Sequence, residues 1–500
     1  MIRSFRQLLP VAVGLLFAHA TNAQYTTPNT GLSYTLADLV AISGGVITAP
    51  SAMSYLQTAD FILAANDTLL INEDLTWAVA SSAAINIFGT FISAPPAAAV
   101  LTAANASLQY DGIRFEDGST IDLQRLSITD GGGIKSLTDQ LTLSYCTISN
   151  HVTNATTGSA LELSDGKVYI DHVVFSGNEY AAISSAANGA AAPQITHSTF
   201  LQNGFGNTNR PQINLGPSGT DTTLIRNNTV IGNPAYTMVG GIAFSSLMGI
   251  TGYVVIDSNT VADNRYGITM TGSNITGRIA DNTITDNNTQ GDPDLGGSGL
   301  NFYGGSTNVS VVRGNRITGN LWGVTIQSAA TVNLGDTTAA NYNPGGNSFS
   351  NNGNGGVIYA LYNNTPNPVP AMHNCWDSED PSIDSTAAAA VIFDVADIGT
   401  LGQVFFLPMG TCDINTAVDQ PARPGSALTV FPNPSNGRVH ISSELPIMAL
   451  AVFNANGQLV QMHRGNAQGQ WALGELGTGL YLLKATTATG AEYTQRIVVE

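Results

Sequence analysis

Residues 225–233 read IRNNTVIGN, and closely similar stretches recur at 256–264 (IDSNTVADN), 279–287 (IADNTITDN) and 312–320 (VRGNRITGN). In each, Asn stands two positions before and three positions after a central apolar residue. Five further copies with more varied turn residues bring the number of repeats to nine, centred on Ile128, Ile148, Phe175, Phe200, Val230, Val261, Ile284, Ile317 and Phe349. A register that persists while the spacers vary predicts stacked coils joined by loops of different length.

Two further columns accompany the central residues. Asn fills the third position after the centre in seven of the nine repeats, namely Asn178, Asn203, Asn233, Asn264, Asn287, Asn320 and Asn352. A second apolar column lies five positions before the centre, at Leu123, Leu143, Ile170, Ile195, Ile225, Ile256, Ile279 and Val312. These columns predict short strands whose inward side chains stack from coil to coil. The Asn amides are expected to hydrogen-bond to their neighbours at the turns, because a buried amide needs partners.

The whole pattern resembles the right-handed parallel β-helix of the pectate-lyase-like superfamily, over roughly residues 60–412. Only 10% of residues are charged, 53 of 500 are Gly, and no long segment has helical apolar spacing. The predicted fold class is therefore all-β, a right-handed parallel β-helix followed by a small immunoglobulin-like β-sandwich. The resemblance is specific for the fold and not for an activity.

The first 23 residues have the pattern of a secretory signal peptide. Arg3 and Arg6 precede an apolar run, and Thr21-Asn22-Ala23 offers a small-residue cleavage site before Gln24. A membrane anchor is the alternative, but the run is shorter than the ~20 residues that a bilayer requires. Without this segment the chain has 15 Lys and Arg against 35 Asp and Glu, a net charge of −20. Such a charge argues against a nucleic-acid partner, and no later segment could cross a membrane.

The remaining boundaries follow from changes in pattern. Residues 24–59 lack the Asn register and are predicted to form an N-terminal cap, and residues 413–425 (DINTAVDQPARPG) to form a polar linker. Cys375 and Cys412 lie at the end of the helix region and could pair, which would stabilise the fold by about 4 kcal/mol in the loop-entropy model. Whether they pair is left open by the sequence. Cys146 occupies a turn column and is predicted to be buried.

Residues 426–500 change character. The segments LTVFPNPSNGRVHI (428–441), ALAVFNANGQLV (449–460) and GLYLLKATTATGAEYTQRIVVE (479–500) have short alternating strands and turn signals. They resemble the type A C-terminal sorting domain of proteins exported by the type IX secretion system. The resemblance implies a seven-stranded β-sandwich that the export machinery recognises, and a secreted or cell-surface location. An ordinary immunoglobulin-like module is the alternative, which the terminal position disfavours.

Candidate ligand-binding residues are few. Asp171, Arg226 and Asp257 share the column four positions before the centre and are predicted to lie on one outer face, as a cation or sugar site. A stacked surface salt bridge between Arg226 and Asp257 explains the same pattern, with at most ~1 kcal/mol of stabilisation. Aromatic residues five positions after the centre, Tyr180, Phe205, Tyr266 and Trp322, could stack on sugar rings, although packing in a tight turn is the simpler reading.

No cofactor is clearly indicated. Asp292 and Asp294, in the loop GDPDLGG (291–297), are candidate calcium ligands, but Asp, Pro and Gly are also ordinary turn residues. The histidines have no metal-ligand spacing along the chain. The carboxylate pair of a glycosidase and the base of a lyase are not identifiable, and residues 60–412 contain only ten Lys and Arg. The sequence therefore favours a non-catalytic, glycan-binding or adhesive protein with an extracellular polysaccharide as partner. A polysaccharide lyase or other polysaccharide-degrading enzyme is the alternative.

Overall fold

The computed structural model describes residues 24–152, 159–355, 357–380, 382–412 and, with gaps, 428–499. These residues fall into two compact units, one within 24–412 and one within 428–499. The predicted signal peptide and linker lie outside the described residues.

The first unit is a parallel β-helix in which each coil contributes one strand to each of three sheets. Among the described residues, sheet 1 has twelve strands, Ser33–Thr35, Thr68–Ile71, Thr90–Ser93, Thr120–Gln124, Leu141–Ser144, Tyr169–Asp171, Gln194–Thr196, Thr222–Arg226, Gly252–Asp257, Ile275–Ala280, Asn308–Arg313 and Thr331–Asn333. Sheet 2 has thirteen there, Ile47–Ser51, Ser54–Gln57, Thr76–Val79, Ala99–Ala103, Leu126–Thr129, Thr147–Ser149, Val174–Ser176, Thr199–Leu201, Thr229–Ile231, Thr260–Ala262, Thr283–Thr285, Arg316–Thr318 and Ser348–Ser350. Sheet 3 has fourteen in the same part of the chain, Gln24–Thr26, Asp60–Leu63, Ala84–Ile87, Gly112–Phe115, Ile134–Ser136, Ser159–Gly166, Ala181–Ala191, Ile213–Leu215, Ile242–Ser246, Ile268–Gly272, Ser298–Gly304, Trp322–Ser328, Leu361–Asn364 and Ile392–Phe393.

The predicted columns are the registers of these sheets. The nine central residues pair in sequence along sheet 2, and the column five positions earlier pairs along sheet 1. Every one of these side chains is fully buried. Phe175 and Phe200 stack with ring centroids 5.1 Å apart. Each such side chain contributes roughly 1.5–3 kcal/mol by leaving water, so the core is one continuous apolar column, and the parallel β-helix prediction is confirmed.

The N-terminal end is closed by helix α1, Leu36–Ile42. Thr35 and Asp38 form a capping box at its start, and Leu36 and Leu39 are buried in the end of the core. Residues 24–59 are therefore not only a cap. Gln24–Thr26 and Ser33–Thr35 already pair in parallel with the next coil, so the coils begin well before residue 60.

The far end of the helix closes with short elements. Gly353–Asn354 pairs with Val357–Ile358, Val369–Pro370 pairs with Val404–Phe405, and helix α2 spans Ser385–Ala390 with Asp384 as its N-cap. Cys375 and Cys412 form a disulfide, and Trp376 stacks on Phe349 at 5.1 Å. The last apolar layer is thus covered.

In the second unit, the described residues form a five-stranded antiparallel sheet. Its strands are Leu428–Phe431, Val439–Asn454, Leu459–Leu473, Gly479–Thr487 and Glu492–Val499. Its own apolar cluster includes Ile441, Val452, Leu483 and Ile497. The unit is all-β, while the predicted seven-stranded sandwich stays a prediction.

Candidate functional site

Two ladders of buried, hydrogen-bonded side-chain amides stabilise the turns between the sheets. The candidate surface sites lie next to these turns. Between sheets 1 and 2, the Oδ1 of each Asn accepts from the backbone N and Nδ2 of the Asn one coil earlier, at 2.9–3.1 Å. Its members are Asn228, Asn259, Asn282, Asn315, Asn347 and Asn374. Each net hydrogen bond is worth about 1 kcal/mol, so the ladder holds successive coils in register.

The second ladder follows sheet 2 and contains six of the seven predicted residues. Asn178 donates to Asn203, and Asn264, Asn287, Asn320 and Asn352 continue the series. The inclusion of Asn233 was wrong. Its Oδ1 accepts from Ala235 in a local turn, and the buried Gln212 bridges Asn203 and Asn264 in its place.

Pro234 distinguishes Asn233 from the other six residues. A proline disfavours the α region for its predecessor, and Asn233 is the only one of the seven that proline follows. Asn233 is also only half-buried.

A histidine cluster lies at the turn from sheet 1 to sheet 2. His172 and His197 occupy the same left-handed turn position in successive coils, with φ of 54° and 47°, a conformation that His tolerates better than most residues. Their rings stack at 4.9 Å, and Tyr145 stacks on His172 at 4.7 Å. Asp171 binds both histidines, accepting from Nδ1 of His172 at 2.7 Å and from Nδ1 of His197 at 2.9 Å.

The carboxylate of Asp171 is held ionised by this arrangement. Partial burial opposes its charge, but hydrogen bonds from Thr196, His197 and His172 outweigh that effect and lower the pKa of Asp171 to about 2. The Thr196 hydroxyl donates to it at 2.6 Å. An ionised carboxylate only accepts hydrogen bonds, so both Nδ1 atoms carry a proton here.

Arg226 and Asp257 lie in the same column as Asp171, as expected, but the three residues do not converge. The register of sheet 1 places Thr196 between Asp171 and Arg226. Asp257, only 9% exposed, accepts from both Arg226 and Arg278 at 3.0 Å. The predicted column is thus divided into the histidine cluster and a salt-bridge network that joins three coils.

A cleft of about 460 Å³ lies on the outer face of sheet 3, which we call the sheet 3 cleft. Its floor is a chain of hydroxyl and amide groups across neighbouring strands. Asn301 donates to Thr269 at 2.8 Å and accepts from Thr325 at 2.8 Å, and Gln327 lies beside them. These residues face outward in adjacent coils, so the floor offers donors and acceptors in rows.

Aromatic rings form one wall of the sheet 3 cleft. Trp322 stacks on Tyr359 at 5.4 Å and contacts Tyr362 at 4.9 Å, and Phe393 stacks on Tyr362 at 4.8 Å. The indole Nε1 of Trp322 donates to the carbonyl of Pro293 at 2.9 Å. Burial raises the pKa of Tyr362, with smaller contributions from Tyr359 and Asp294, so its hydroxyl stays protonated at neutral pH.

The loop of residues 291–297, which carries the two predicted calcium ligands, forms the rim next to the aromatic wall. Arg265 holds it by donating to the carbonyl of Leu295 and to Asn209. Asp292 accepts from the backbone N of Asp294, an ordinary turn contact, and both aspartates are exposed. Among the described residues no group of three possible His, Cys, Asp or Glu ligands includes them. The calcium site stays a prediction.

Tyr266 and Trp322 both line the sheet 3 cleft. The Tyr266 ring packs against Gly240, where an added Cβ would clash with the ring. Burial raises the pKa of Tyr266 to about 12, although Arg265 acts in the opposite direction. Tyr266 therefore combines local packing with a place in the cleft wall. Tyr362 and Asn301 have no signal in the sequence, because loops of unequal length hide the sheet 3 register. His172 and His197 do have a signal in the sequence, because each lies three positions before a repeat centre.

Two family models agree with this architecture. The family model described as "Right handed beta helix region" matches residues 138–317, and that described as "Secretion system C-terminal sorting domain" matches residues 429–500. The crystal structure of the periplasmic alginate epimerase AlgG aligns at 12% identity and a TM-score of 0.33, over 71% of this chain and 74% of that one. A search of curated proteins finds no match. No helix in the described part of the chain is long and apolar enough to span a membrane.

The two family matches lie on the two compact units, and the second reaches the last residue of the chain. Sorting domains of this kind direct their cargo through the type IX machinery to the cell surface or the medium. The chain is a right-handed parallel β-helix protein with a type IX secretion system C-terminal sorting domain.

Proposed function

We propose that this secreted protein is a non-catalytic glycan-binding or adhesive protein whose sheet 3 cleft binds an extracellular polysaccharide. The observation that carries the proposal is the aromatic wall of Trp322 and Tyr362 beside the polar floor of Asn301, Thr325 and Gln327. Sugar rings present apolar C–H faces and hydroxyl edges, which suit an aromatic wall and an amide and hydroxyl floor respectively. The volume lies within the roughly 300–1,000 Å³ typical of ligand sites.

The charges of the cleft favour a neutral glycan. Arg265 is the lining residue that carries a positive charge, and its guanidinium already donates to Leu295 and Asn209. Asp294 is the lining carboxylate, and the chain without residues 1–23 carries a charge of −20. The two lining charges balance each other, and the negative net charge of the chain gives a polyuronate no long-range attraction.

The residues that line the sheet 3 cleft also argue against the enzyme alternative. A lyase needs a base near neutral pKa and a group that neutralises the uronate carboxylate, and a glycosidase needs two carboxyl groups. The phenols of Tyr266 and Tyr362 have raised pKa values and remain protonated, so they act as hydrogen-bond donors rather than bases. The described lining contains one carboxylate and no histidine.

The test is a glycan array followed by affinity measurements on the purified chain. Trp322→Ala and Tyr362→Ala should each weaken binding at least about tenfold, as expected of a central aromatic contact. Tyr169→Ala is the matched control, because Tyr169 is an exposed aromatic on sheet 1. Equal binding by all three variants would refute the cleft as the site. In parallel, release of unsaturated products or reducing ends, with and without calcium, that Trp322→Ala abolishes would establish the enzyme alternative.

We also propose the processing expected of such cargo. Residues 1–23 act as a cleaved signal peptide, and residues 426–500 complete an immunoglobulin-like β-sandwich recognised by the export machinery. N-terminal sequencing of the exported protein should begin at Gln24. A chain truncated after residue 425 should accumulate in the periplasm, and its normal appearance outside the cell would contradict the role of the sorting domain.

A further inference from the structure

We infer that Asp171, His172 and His197 form a binding site for a divalent transition-metal ion such as Zn²⁺. Each side chain offers one ligand atom, and the three atoms lie within 4.8 Å of one another. Among the described residues this is the only group of three or more His, Cys, Asp and Glu side chains that meets this condition. The site lies on the turns between sheets 1 and 2 and is separate in sequence and sheet position from the sheet 3 cleft.

The chemistry of the donors selects the class of metal. Two imidazole nitrogens and one carboxylate suit Zn²⁺, Cu²⁺ or Ni²⁺, whereas Ca²⁺ requires six to eight oxygen ligands. Three protein ligands leave a fourth position of a tetrahedral Zn²⁺ site open to water. The side chains of Asp171, His172 and His197 are 41%, 29% and 48% exposed, so an ion can enter directly from solvent.

The fold preorganises the ligands. Asp171 and Thr196 are register partners in sheet 1, which brings His172 and His197 into the same turn position one coil apart. Tyr145 packs against one face of His172 while His197 packs against the other. Thr196 orients the carboxylate of Asp171. Ligands held in this way by outer-shell contacts need little rearrangement to bind a metal.

Binding needs no net loss of a proton from a neutral histidine. The Nδ1 proton that now bonds to Asp171 moves to Nε2, and the freed Nδ1 lone pair binds the ion. For His197 a partner is already present, because Asn227 lies 3.1 Å from Nε2. With its amide rotated, the Oδ1 of Asn227 accepts the new Nε2 proton, which is the outer-shell contact that metal-bound histidines usually have.

The experiment is calorimetric titration of ZnCl₂ into the untagged, metal-free chain. We expect one ion per chain in wild type, and an affinity at least about tenfold weaker in His197→Ala and Asp171→Asn. His373→Ala is the matched control, because His373 is also a left-handed turn residue, with φ of 59°, but lies outside the cluster. Titration with CaCl₂ should give no binding at this site.

Absence of stoichiometric Zn²⁺ binding in wild type, or equal weakening in His373→Ala, would overturn the inference. A second measurement uses only the wild-type chain and so does not depend on whether the variants fold. Zn²⁺ should shift the imidazole ¹⁵N resonances of both His172 and His197. If those resonances do not move while Zn²⁺ binds, the ion lies elsewhere and the inference fails. Glycan binding by the sheet 3 cleft should be the same in all these variants.

Discussion

Two single substitutions, Asn264→Ala and Asn233→Ala, test the structure against the repeat pattern, because the two predict different losses of stability. Both follow a buried Val by three positions in consecutive repeats, so the pattern predicts equal effects. In the structure Asn264 is 1% exposed, donates to Ala262 at 2.7 Å and Asn287 at 3.0 Å, and accepts from Gln212 at 3.0 Å. The Asn233 side chain instead makes a local contact, accepting from the backbone N of Ala235 at 3.0 Å.

The magnitudes follow from these contacts. Three hydrogen bonds at about 1 kcal/mol each are lost in Asn264→Ala, and the buried amide of Gln212 is left with an unsatisfied donor. The total expected loss is about 3–5 kcal/mol. Asn233→Ala loses one half-exposed hydrogen bond and should cost less than about 1 kcal/mol.

Urea unfolding followed by circular dichroism measures the difference, provided that the slope m is the same in both variants. Amide exchange supplies a local check, because protection should fall around Gln212 and Asn287 in Asn264→Ala and stay unchanged in Asn233→Ala. Equal destabilisation by the two substitutions would refute the assignment of Gln212 to the ladder and restore Asn233 to it.

Three further predictions concern the β-helix unit. Burial raises the pKa of the Cys146 thiol to about 11, and Cys375 is bonded to Cys412. A thiol reagent should therefore label no Cys in the folded chain, one in urea, and all three in urea with reductant. Three labelled thiols in urea without reductant would disprove the disulfide. Asp67→Ala should lower stability by about 2 kcal/mol, because the buried carboxylate accepts from the backbone N of Asn29, Thr30 and Gly31. Burial raises the pKa of Asp67, but these bonds and that from Thr27 lower it overall. The stability that Asp67 contributes is therefore present above the unfolded pKa of about 3.9 and is lost as pH falls through the folded pKa. If the difference in urea midpoint between wild type and Asp67→Ala stays constant on acidification, this prediction is wrong. Asp257→Asn should cost about 1 kcal/mol, less in high salt, and leave glycan binding unchanged; a parallel loss of glycan binding would return Asp257 to the ligand site.

The core could be predicted because its signal is repeated. From Phe175 onward, each repeat centre of sheet 2 lies three positions before an Asn or its equivalent place in the ladder, so one coil predicts the next. Gln212 could not be found in this way, because it enters the ladder from the start of a sheet 3 strand rather than from the turn after sheet 2. Asn374 extends the other ladder beyond the last recognisable repeat centre.

The candidate sites were harder to predict for a different reason. Trp322 and Tyr266 were identified from their offset, but their neighbours Tyr362 and Asn301 lie on other strands of sheet 3, whose spacing from the repeat centre varies. The spacing of the histidines along the chain does not indicate a metal site. In a solenoid the relevant spacing is one coil, here 25 residues between His172 and His197.

Turn length determines what kind of site each edge of the β-helix can carry. Between Ser144 and Arg316 the connection from sheet 1 to sheet 2 is two residues in every coil, for example after Asp171, Arg226 and Asp257, whereas after Asn333 it lengthens to residues 334–347. A turn of constant length cannot enclose a cleft, but it places side chains one coil apart in register, which is what an ion needs. From sheet 2 to sheet 3 the connection ranges from two residues after Gln57 to twelve after Thr285. The long loop rises above the sheet and becomes the rim against which Trp322 and Arg265 are held. These turn lengths support the proposed glycan site on sheet 3 and the proposed metal site on the two-residue turns between sheets 1 and 2.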